Sequence, residues 1–511
     1  PDAARARRNL VLRRMAEEGF ISEEQARQAQ AEPLSLASPR QREASAAAFV
    51  DYVITQLLDE GFTETDLWAG GLKIYTTLDI GMQATAEQAL WNNLPQGATD
   101  SQGLMQPQGA VVTLDVNTGA ILAMVGGRKE SQNKFNRAAY AVRQPGSAMK
   151  PFVYALALEN GFTPASIIVD EPVTYPMGDG TSWEPKNYDN RFRGPMLLRD
   201  ALEDSVNIVA VKLLEEVGVG NALQLARRLG LSHLVDRGEP NDLTLSFALG
   251  GLTKGVTPLE MAAAYSAFAN GGTYYEPYAV VEVRDSRGDV VFRSHPRPRI
   301  VLEPATAYVL TDMLKGVILR GTGKRADIGR PAAGKTGTTS DNTNAWFVGY
   351  TPSLSTAVWV GNDRQSDKLI FNGVTYGSGL AAAIWGQYMR QATAGTPAED
   401  FARPPRIVEG VPIDVRNGRL ATANTPPQYV RHEVFILGTE PQGYVRPATT
   451  TTTGVTGDAA GSSNAGTVPF NDQGNDQTPS SLGSPYGSTG AADNTATYAE
   501  DDAWPSFVGG D

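Results

Sequence analysis

The 511-residue chain has no cysteine, which excludes disulfides, thiol nucleophiles and thiolate-held metals together while leaving the compartment open. Histidine is almost missing. His233, His295 and His432 stand far apart with no HExxH or HxH spacing, which argues against a zinc hydrolase, and no metal site is expected. No apolar run reaches the length of a membrane span, and Pro1 opens a charged stretch without an apolar signal core. The chain therefore reads as a piece of a longer product whose export signal or anchor lay upstream. Basic residues stop at Arg446. Beyond it come Asp458, Asp472, Asp476, Asp493, Glu500, Asp501, Asp502 and Asp511, so the tail carries most of the net charge of −12. An acidic balance of this kind does not fit a general nucleic-acid binder, which needs a basic face, and no nucleic-acid partner is expected.

What is present is ordinary globular material, with 41% hydrophobic and 20% charged residues, in a length that suits two to four domains. Residues 5–30 read as two short helices: Leu10, Val11 and Met15 form an apolar side, Gly19 can stop the first, and Ser22 with Gln25 makes a capping box for the second. Arg5, Arg7, Arg8, Arg13 and Arg14 give this piece a basic, solvated face. A helix over 44–58, a strand over 72–78 and a helix capped by Asp79 describe a small α/β module. Residues 110–125 read as a hairpin around Asn117, Thr118 and Gly119. Helices follow over 148–159, 196–203, 207–217, 221–229, 258–269 and 303–319, then strands over 333–339, 345–350 and 355–360 and a helix over 380–391. This order describes an antiparallel sheet covered by helices, class α+β. Residues 396–446 are Pro-rich and mixed, and 447–511 are too poor in apolar residues to offset chain entropy, so that tail is expected to be disordered.

Without Cys or clustered His, an acyl-transfer enzyme has to activate Ser or Thr with another base, and Lys is the main one left. Ser147 and Lys150 form an SxxK just before the apolar run 152–158. At a helix start this spacing puts hydroxyl and amine on one face, and the free N–H groups there suit an oxyanion. The tetrapeptide alone is weak, since roughly two such matches arise by chance in a chain this long; Ser131 and Lys134 form a second one in a polar stretch without an apolar helix behind it. Ser205 and Asn207 then form an SxN between two helical stretches, and Lys335, Thr336, Gly337 and Thr338 open a predicted strand as KTGT. Ser340, Asp341 and Asn342 spell SDN but follow that strand immediately, so they read as a hairpin turn and not as the opposite wall of a cleft.

In the order SxxK, SxN, KTGT the set resembles the signature of penicillin-binding proteins and serine β-lactamases. The likeness extends to RQPGSAMKP at 143–151, KNYD at 186–189, LRDALEDSVN at 198–207, GKTGTT at 334–339, AWFVGYTP at 345–352 and FILGTEP at 435–441. Together these are similar to class A penicillin-binding proteins, the bifunctional peptidoglycan synthases. Residues 8–21 are similar to the end of their glycosyltransferase domain and 71–83 to their linker. The resemblance implies a glycosyltransferase remnant at 1–30, a small α/β linker domain at 31–105, a transpeptidase domain at 106–395, a C-terminal extension at 396–446 and the tail from 447. The EDxxF glutamate of glycosyl transfer is absent, and Asn344 stands where many members have Asp.

The same resemblance implies a β-lactamase-like transpeptidase fold and a D,D-transpeptidase without cofactors. Ser147 would attack the penultimate D-Ala carbonyl of a stem peptide, Lys150 would take its proton, and nearby Lys335 would lower the Lys150 pKa. The backbone N–H groups of Ser147 and Thr338 would hold the oxyanion. Ser205 would relay the proton, Asn207 would bind the peptide amide, Thr336 and Thr338 with Lys335 would hold the terminal carboxylate, and Gly337 and Thr339 would complete the substrate-binding strand. Expected partners are peptidoglycan stem peptides, β-lactams and other cell-wall synthesis proteins, at the outer side of a membrane reached through the missing upstream part. A serine β-lactamase is the enzyme alternative, but Glu171 and Glu184 lack the Glu-x-x-Leu-Asn context of its water-activating base. A β-lactam sensor is the other alternative, and it would not be expected to carry the accessory regions.

Overall fold

Ser22 and Gln25 close their capping box, Gln25 N donating to Ser22 Oγ at 3.1 Å and Ser22 N to Gln25 Oε1 at 2.8 Å. That box starts the second of two helices, α1 (Asp2–Glu17) and α2 (Glu23–Ala31), which part where Gly19 takes a φ of +76°. The structure is a computed structural model that describes residues 2–33, 46–128, 135–178, 180–339 and 341–444. Ser131, Lys134, Ser340 and the tail expectation therefore lie outside the described residues. The next module comprises α3 (Ala47–Asp59), α4 (Glu64–Ala69), β1 (Lys73–Thr76) and α5 (Ile80–Asn93), the last capped by the Asp79 carboxylate, which accepts from Met82 N at 2.9 Å. Helix α4 was not anticipated because six residues are too few to show a period; a Thr63–Asp66 capping box supports it.

The central hairpin is β2 (Gln108–Asp115) and β3 (Ile121–Val125). Helices and short strands follow in the order α6 (Arg137–Tyr140), α7 (Lys150–Glu159), β4 (Ile167–Asp170), β5 (Tyr175–Pro176), β6 (Ser182–Trp183), β7 (Gly194–Leu197), α8 (Leu198–Glu203), α9 (Asn207–Val217), α10 (Val219–Arg228) and α11 (Pro258–Ala269). Then come β8 (Thr273–Tyr275), β9 (Val280–Arg284), β10 (Val290–Arg293), β11 (Pro298–Ile300) and α12 (Pro304–Leu319). The chain returns to the main sheet as β12 (Ala333–Thr338), β13 (Asn344–Tyr350) and β14 (Leu354–Gly361). It continues through β15 (Ile370–Phe371), β16 (Val374–Thr375) and α13 (Ser378–Ala392), and the last described strands are β17 (Ile407–Asp414) and β18 (Val430–Ile436).

The main sheet has the order β12-β13-β14-β2-β3, antiparallel throughout, with Val358 of β14 opposite Val111 of β2. Its side chains alternate between two cores as the two-residue period of a strand requires. Val112, Leu114, Trp346, Val348, Ala357 and Trp359 join one cluster with α7, α9, α11 and α12. Val111, Ala123, Phe347, Val358 and Val360 join the other with α5 and α13. Burial on both faces explains why these strands read as continuous apolar runs, and the α+β class stands. Strand β12 is one edge and β3 the other.

Three expectations shift. Residues 196 and 197 belong to β7, where Leu197 pairs with Ile167 of β4, so the helix begins at Leu198. The mixed stretch at 396–446 contains the β17–β18 hairpin, packed over Ala165, Leu197, Val408, Val411, Ile413 and Phe435. Strands β8 to β11 are three to five residues long, too short to show a clear two-residue period in the sequence, and β11 is exposed throughout. Among the described residues no helix is long and apolar enough to cross a membrane.

Candidate active site

Ser147 sits in a tight 3-10 turn, Gly146–Met149, immediately before α7, and Lys150 N donates back to Ser147 O. Residues three apart in such a turn eclipse one another, so the one-face relation expected for Ser147 and Lys150 arises from this turn and not from a full α-helical one. Ser147 is the turn's second residue, which leaves its N–H without an acceptor inside the turn. The turn is held from behind. Tyr265 Oη of α11 donates to Ala148 O at 2.6 Å, Trp346 Nε1 donates to Gln144 O at 2.9 Å, and Leu252 N donates to Gln144 Oε1 at 2.8 Å.

Gly146 and Gly337 let this turn meet the edge strand. A Cβ on Gly146, whose φ is +56°, would lie 2.6 Å from Thr338 O, and one on Gly337 would run into Pro145 O. The glycine of KTG is thus required by a backbone approach. Thr339 N donates to Asn344 O, so the adjacent pair Thr338–Ala345 is of the non-hydrogen-bonded type and the Thr338 N–H points off the sheet edge. Two N–H groups that have no acceptor among the described residues, those of Ser147 and Thr338, are therefore carried by backbone segments in contact.

Ser205 and Asn207 arrive from the junction of α8 and α9. Val206 N donates to Ala201 O and Ser205 N to Leu202 O, a Schellman closure of α8 in which Ser205 takes the left-handed position with φ +57°, usually a glycine. Asn187, from KNYD, caps the start of α9 by accepting from Asn207 N at 2.9 Å. Lys186 O receives Asn207 Nδ2 at 2.8 Å, and buried Asp170 grips the Asn187 amide at 2.8 Å. KNYD was legible as a likeness, but this supporting role was not.

Lys150 Nζ donates to Ser205 O, to Ser205 Oγ at 3.2 Å and to Asn207 Oδ1 at 2.7 Å. Lys335 Nζ of β12 donates to the same Ser205 Oγ at 2.8 Å. Both lysines are fully buried. Burial brings the Lys335 amine down to about 7. Burial first and the charge of Lys335 second push Lys150 well below the ordinary lysine range. The sequence reading named only the Lys335 charge, because burial is not visible in a tetrapeptide.

The KTGT threonines separate. Thr336 is buried and shares a 2.6 Å hydrogen bond with the Thr322 hydroxyl. Thr339 Oγ1 accepts from Thr343 N and Asn344 N, both at 3.1 Å, inside the following turn. Thr338 Oγ1 accepts from Ser378 N at 3.2 Å and keeps its proton free to donate. Asn342 lies in the same turn with φ +53°, away from the lysines. Asn344, in place of the family's Asp, still supplies the oxygen that Trp359 Nε1 needs, at 2.9 Å.

Residues 109–390 match the penicillin binding protein transpeptidase domain, and residues 403–446 match the C-terminal domain of penicillin-binding protein 1A. Penicillin-binding protein 1A of Aquifex aeolicus is 33% identical over 522 residues, covering 86% of this chain and 69% of that protein. The chain spans only 38% to 44% of the length of other relatives that it matches. The crystal structure of penicillin-binding protein 1A from Haemophilus influenzae superposes with a TM-score of 0.72 at 27% identity, covering 86% of this chain and 82% of that one. PonA1 of Mycobacterium tuberculosis, solved in complex with penicillin V, superposes with a TM-score of 0.63 at 28% identity, covering 70% of this chain and 96% of that one. With the transpeptidase match covering more than half of its residues, the chain belongs to the class A penicillin-binding proteins and carries their transpeptidase domain.

Proposed function

We propose that the chain is a serine-type D,D-transpeptidase that crosslinks peptidoglycan stem peptides through an acyl-enzyme on Ser147, and that β-lactams acylate the same oxygen. The carrying observation is the meeting of two buried lysines on the Ser205 hydroxyl. Two ammonium groups so close in a dry site cannot both persist, so one amine is neutral; Lys150, pushed well below the ordinary lysine range by burial and by the charge of Lys335, is read as the base. A neutral amine has two N–H groups, which go to Ser205 O and Asn207 Oδ1. The longest of its three contacts, to Ser205 Oγ at 3.2 Å, is then given up, which leaves the lone pair to take the Ser147 proton.

Ser147 Oγ attacks the penultimate D-Ala carbonyl and gives its proton to Lys150, while the N–H groups of Ser147 and Thr338 hold the oxyanion. The proton passes through Ser205 to the departing D-Ala nitrogen as the C–N bond breaks. An amine of a neighbouring strand then attacks the ester and returns a proton along the same path, restoring Ser147. Asn207 receives the peptide amide beside the lysine it orients. Lys335 lays positive charge under the terminal carboxylate, and Thr338 is the hydroxyl free to donate to it, with Thr336 and Thr339 holding the strand and its turn. This work belongs outside the cytoplasmic membrane, where peptidoglycan lies. Glycosyl transfer is not part of the reading, since these residues hold no EDxxF glutamate.

A serine β-lactamase would need a carboxylate to activate water. Among the described residues none hydrogen-bonds Lys150, Ser205 or Lys335; Glu171 instead accepts from Lys212 Nζ at 2.9 Å, and Glu184 from Thr174 Oγ1 at 3.4 Å. Incubation with labelled penicillin followed by peptide mapping is expected to give one adduct, on Ser147, none in Ser147→Ala, and acylation slowed about 10³-fold or more in Lys150→Ala. The adduct should persist for many minutes after drug is removed. An adduct on Ser131 would overturn the assignment of Ser147, and loss within seconds with repeated turnover would favour the β-lactamase.

A further inference from the structure

The C-terminal hairpin β17–β18 lies far from Ser147 in sequence, yet its contacts converge on the first turn of α8, the helix whose closing residue is Ser205. Leu197, which precedes α8, is buried in the hairpin's own apolar cluster with Val411, Ile413 and Phe435. Arg431 of β18 donates to Asp200 Oδ1 at 2.6 Å. Between them Glu433, 1% exposed, takes one edge of the Arg199 guanidinium with both its oxygens, Nε donating to Oε2 at 2.7 Å and Nη2 to Oε1. Arg199 also reaches α12, donating to Asp312 O at 3.1 Å and Asp312 Oδ2 at 2.5 Å.

The far end of α8 is tied to the strand that carries Lys335. Glu203 accepts from Arg320 Nε at 3.1 Å, Glu203 O accepts from Thr322 N at 3.2 Å, and the Thr322 hydroxyl meets that of Thr336. Helix α8 has six residues. Such a short helix cannot hold its own orientation, so its position, and that of the Ser205 hydroxyl between the two lysines, is set by whatever grips its ends.

We propose that Glu433 is a positioning residue for the acyl-transfer site, acting through Arg199 and α8 on Ser205, and that the C-terminal hairpin serves as the buttress of the second motif. The proposal rests on the reading of Ser205 as the proton relay. Loss of the Glu433 charge leaves Arg199 with Asp312 of α12 and, at 4.0 Å, Glu203 of its own helix; with its tie to the hairpin gone, the first turn of α8 drifts and shifts Ser205 against Lys150 and Lys335. Proton transfer is sensitive to such displacements, whereas capture of the β-lactam before chemistry is not.

The experiment compares the full chain with Glu433→Gln, Glu433→Asp, Ser205→Ala and the double variant Ser205→Ala/Glu433→Gln. Acylation by a fluorescent penicillin is split into its rate constant and its binding constant, and melting is followed in parallel. Leu57→Ala, a buried change on α3 remote from α8, serves as a control for destabilisation alone. Glu433→Gln is expected to lower the acylation rate constant about tenfold with little change in binding constant, and to add almost nothing in the Ser205→Ala background. Glu433→Asp keeps the buried charge, and with it the fold, but retracts it by one methylene; a smaller fall in the same constant is expected. The proposal is overturned if the Glu433 effect adds in full to that of Ser205→Ala, if both Glu433 variants acylate as fast as the parent chain, or if Leu57→Ala slows acylation equally at equal melting temperature. Failure of the underlying reading is separate: it would appear as a parent chain labelled elsewhere than Ser147, or as normal acylation in Ser205→Ala.

Discussion

Ser205 is where backbone strain and chemistry meet. Its φ of +57° costs a non-glycine residue energy that the Schellman closure and the two lysines offset. Replacing it tests the two terms apart. Ser205→Gly is expected to melt above Ser205→Ala by the equivalent of about 1 kcal/mol, because only the alanine keeps the strain. Both should acylate about 10²-fold more slowly than the parent chain, because both lack the hydroxyl proposed as the proton relay. Thermal melts and penicillin labelling on the same samples decide it. The lysines set a pH dependence whose sign follows from their roles. In the proposed mechanism acylation requires neutral Lys150, so the rate is expected to climb as pH rises through that depressed pKa, and it requires charged Lys335, so the rate is expected to fall as pH rises through about 7 in the free enzyme. A bell is expected for the second-order acylation constant. Its alkaline limb should move upward at saturating ligand, whose carboxylate favours the ammonium. An alkaline limb that stays put would remove Lys335 from the carboxylate site.

At the scale of elements, the site depends on two backbone segments that touch where both lack side chains. Gly337 on β12 faces the Pro145 carbonyl, so a methyl group there has to push the Ser147 turn away from the strand. Gly337→Ala is accordingly expected to slow acylation about 10²-fold or more by parting the two oxyanion N–H groups. The strand itself should survive, since Lys335, Gly337 and Thr339 keep their place opposite β13. Near-UV circular dichroism checks the packing and labelling kinetics the chemistry. A folded variant that labels at the normal rate would show that the two segments need not touch. The same contact explains why the motif reads as it does. Lys335 points to Ser205, Thr338 presents its hydroxyl and its N–H, and the glycine between them is an absence of volume.

At the scale of the molecule, among the described residues the groups named above as holding the site lie between Gln144 and Glu433. Deleting 447–511 is therefore expected to leave the rate of penicillin labelling unchanged, whereas deleting from 403 onward removes the support under α8 and should slow it. Comparing the two truncations at matched folded fraction measures this. The main sheet was legible because its strands are apolar on both faces and its first hairpin has a clear turn. The C-terminal hairpin was not, since β17 and β18 mix Val and Ile with Arg431, His432 and Glu433, and the places of Arg431 and Glu433 are decided by partners more than two hundred residues away.

From its sequence alone this protein was determined in everything that depends on a few neighbouring residues. That includes the Ser22 capping box, the Asp79 cap, the turn at Asn117 to Gly119, the helix behind Ser147 and the residue types able to do acyl transfer without Cys or His. Such signals act over one turn of chain, so they survive in a linear reading. Only the tertiary structure decided which of those groups share a site and in what state. Lys150 and Ser205 are 55 residues apart and Ser205 and Lys335 are 130 apart. Their convergence follows from the packing of α7, α8 and an edge strand, and their lowered pKa values follow from the burial that this packing creates. The division of labour among Thr336, Thr338 and Thr339, and the hold of Glu433 on α8, arise in the same way. Each depends on what lies across a gap in space, and spacing along the chain carries no information about that.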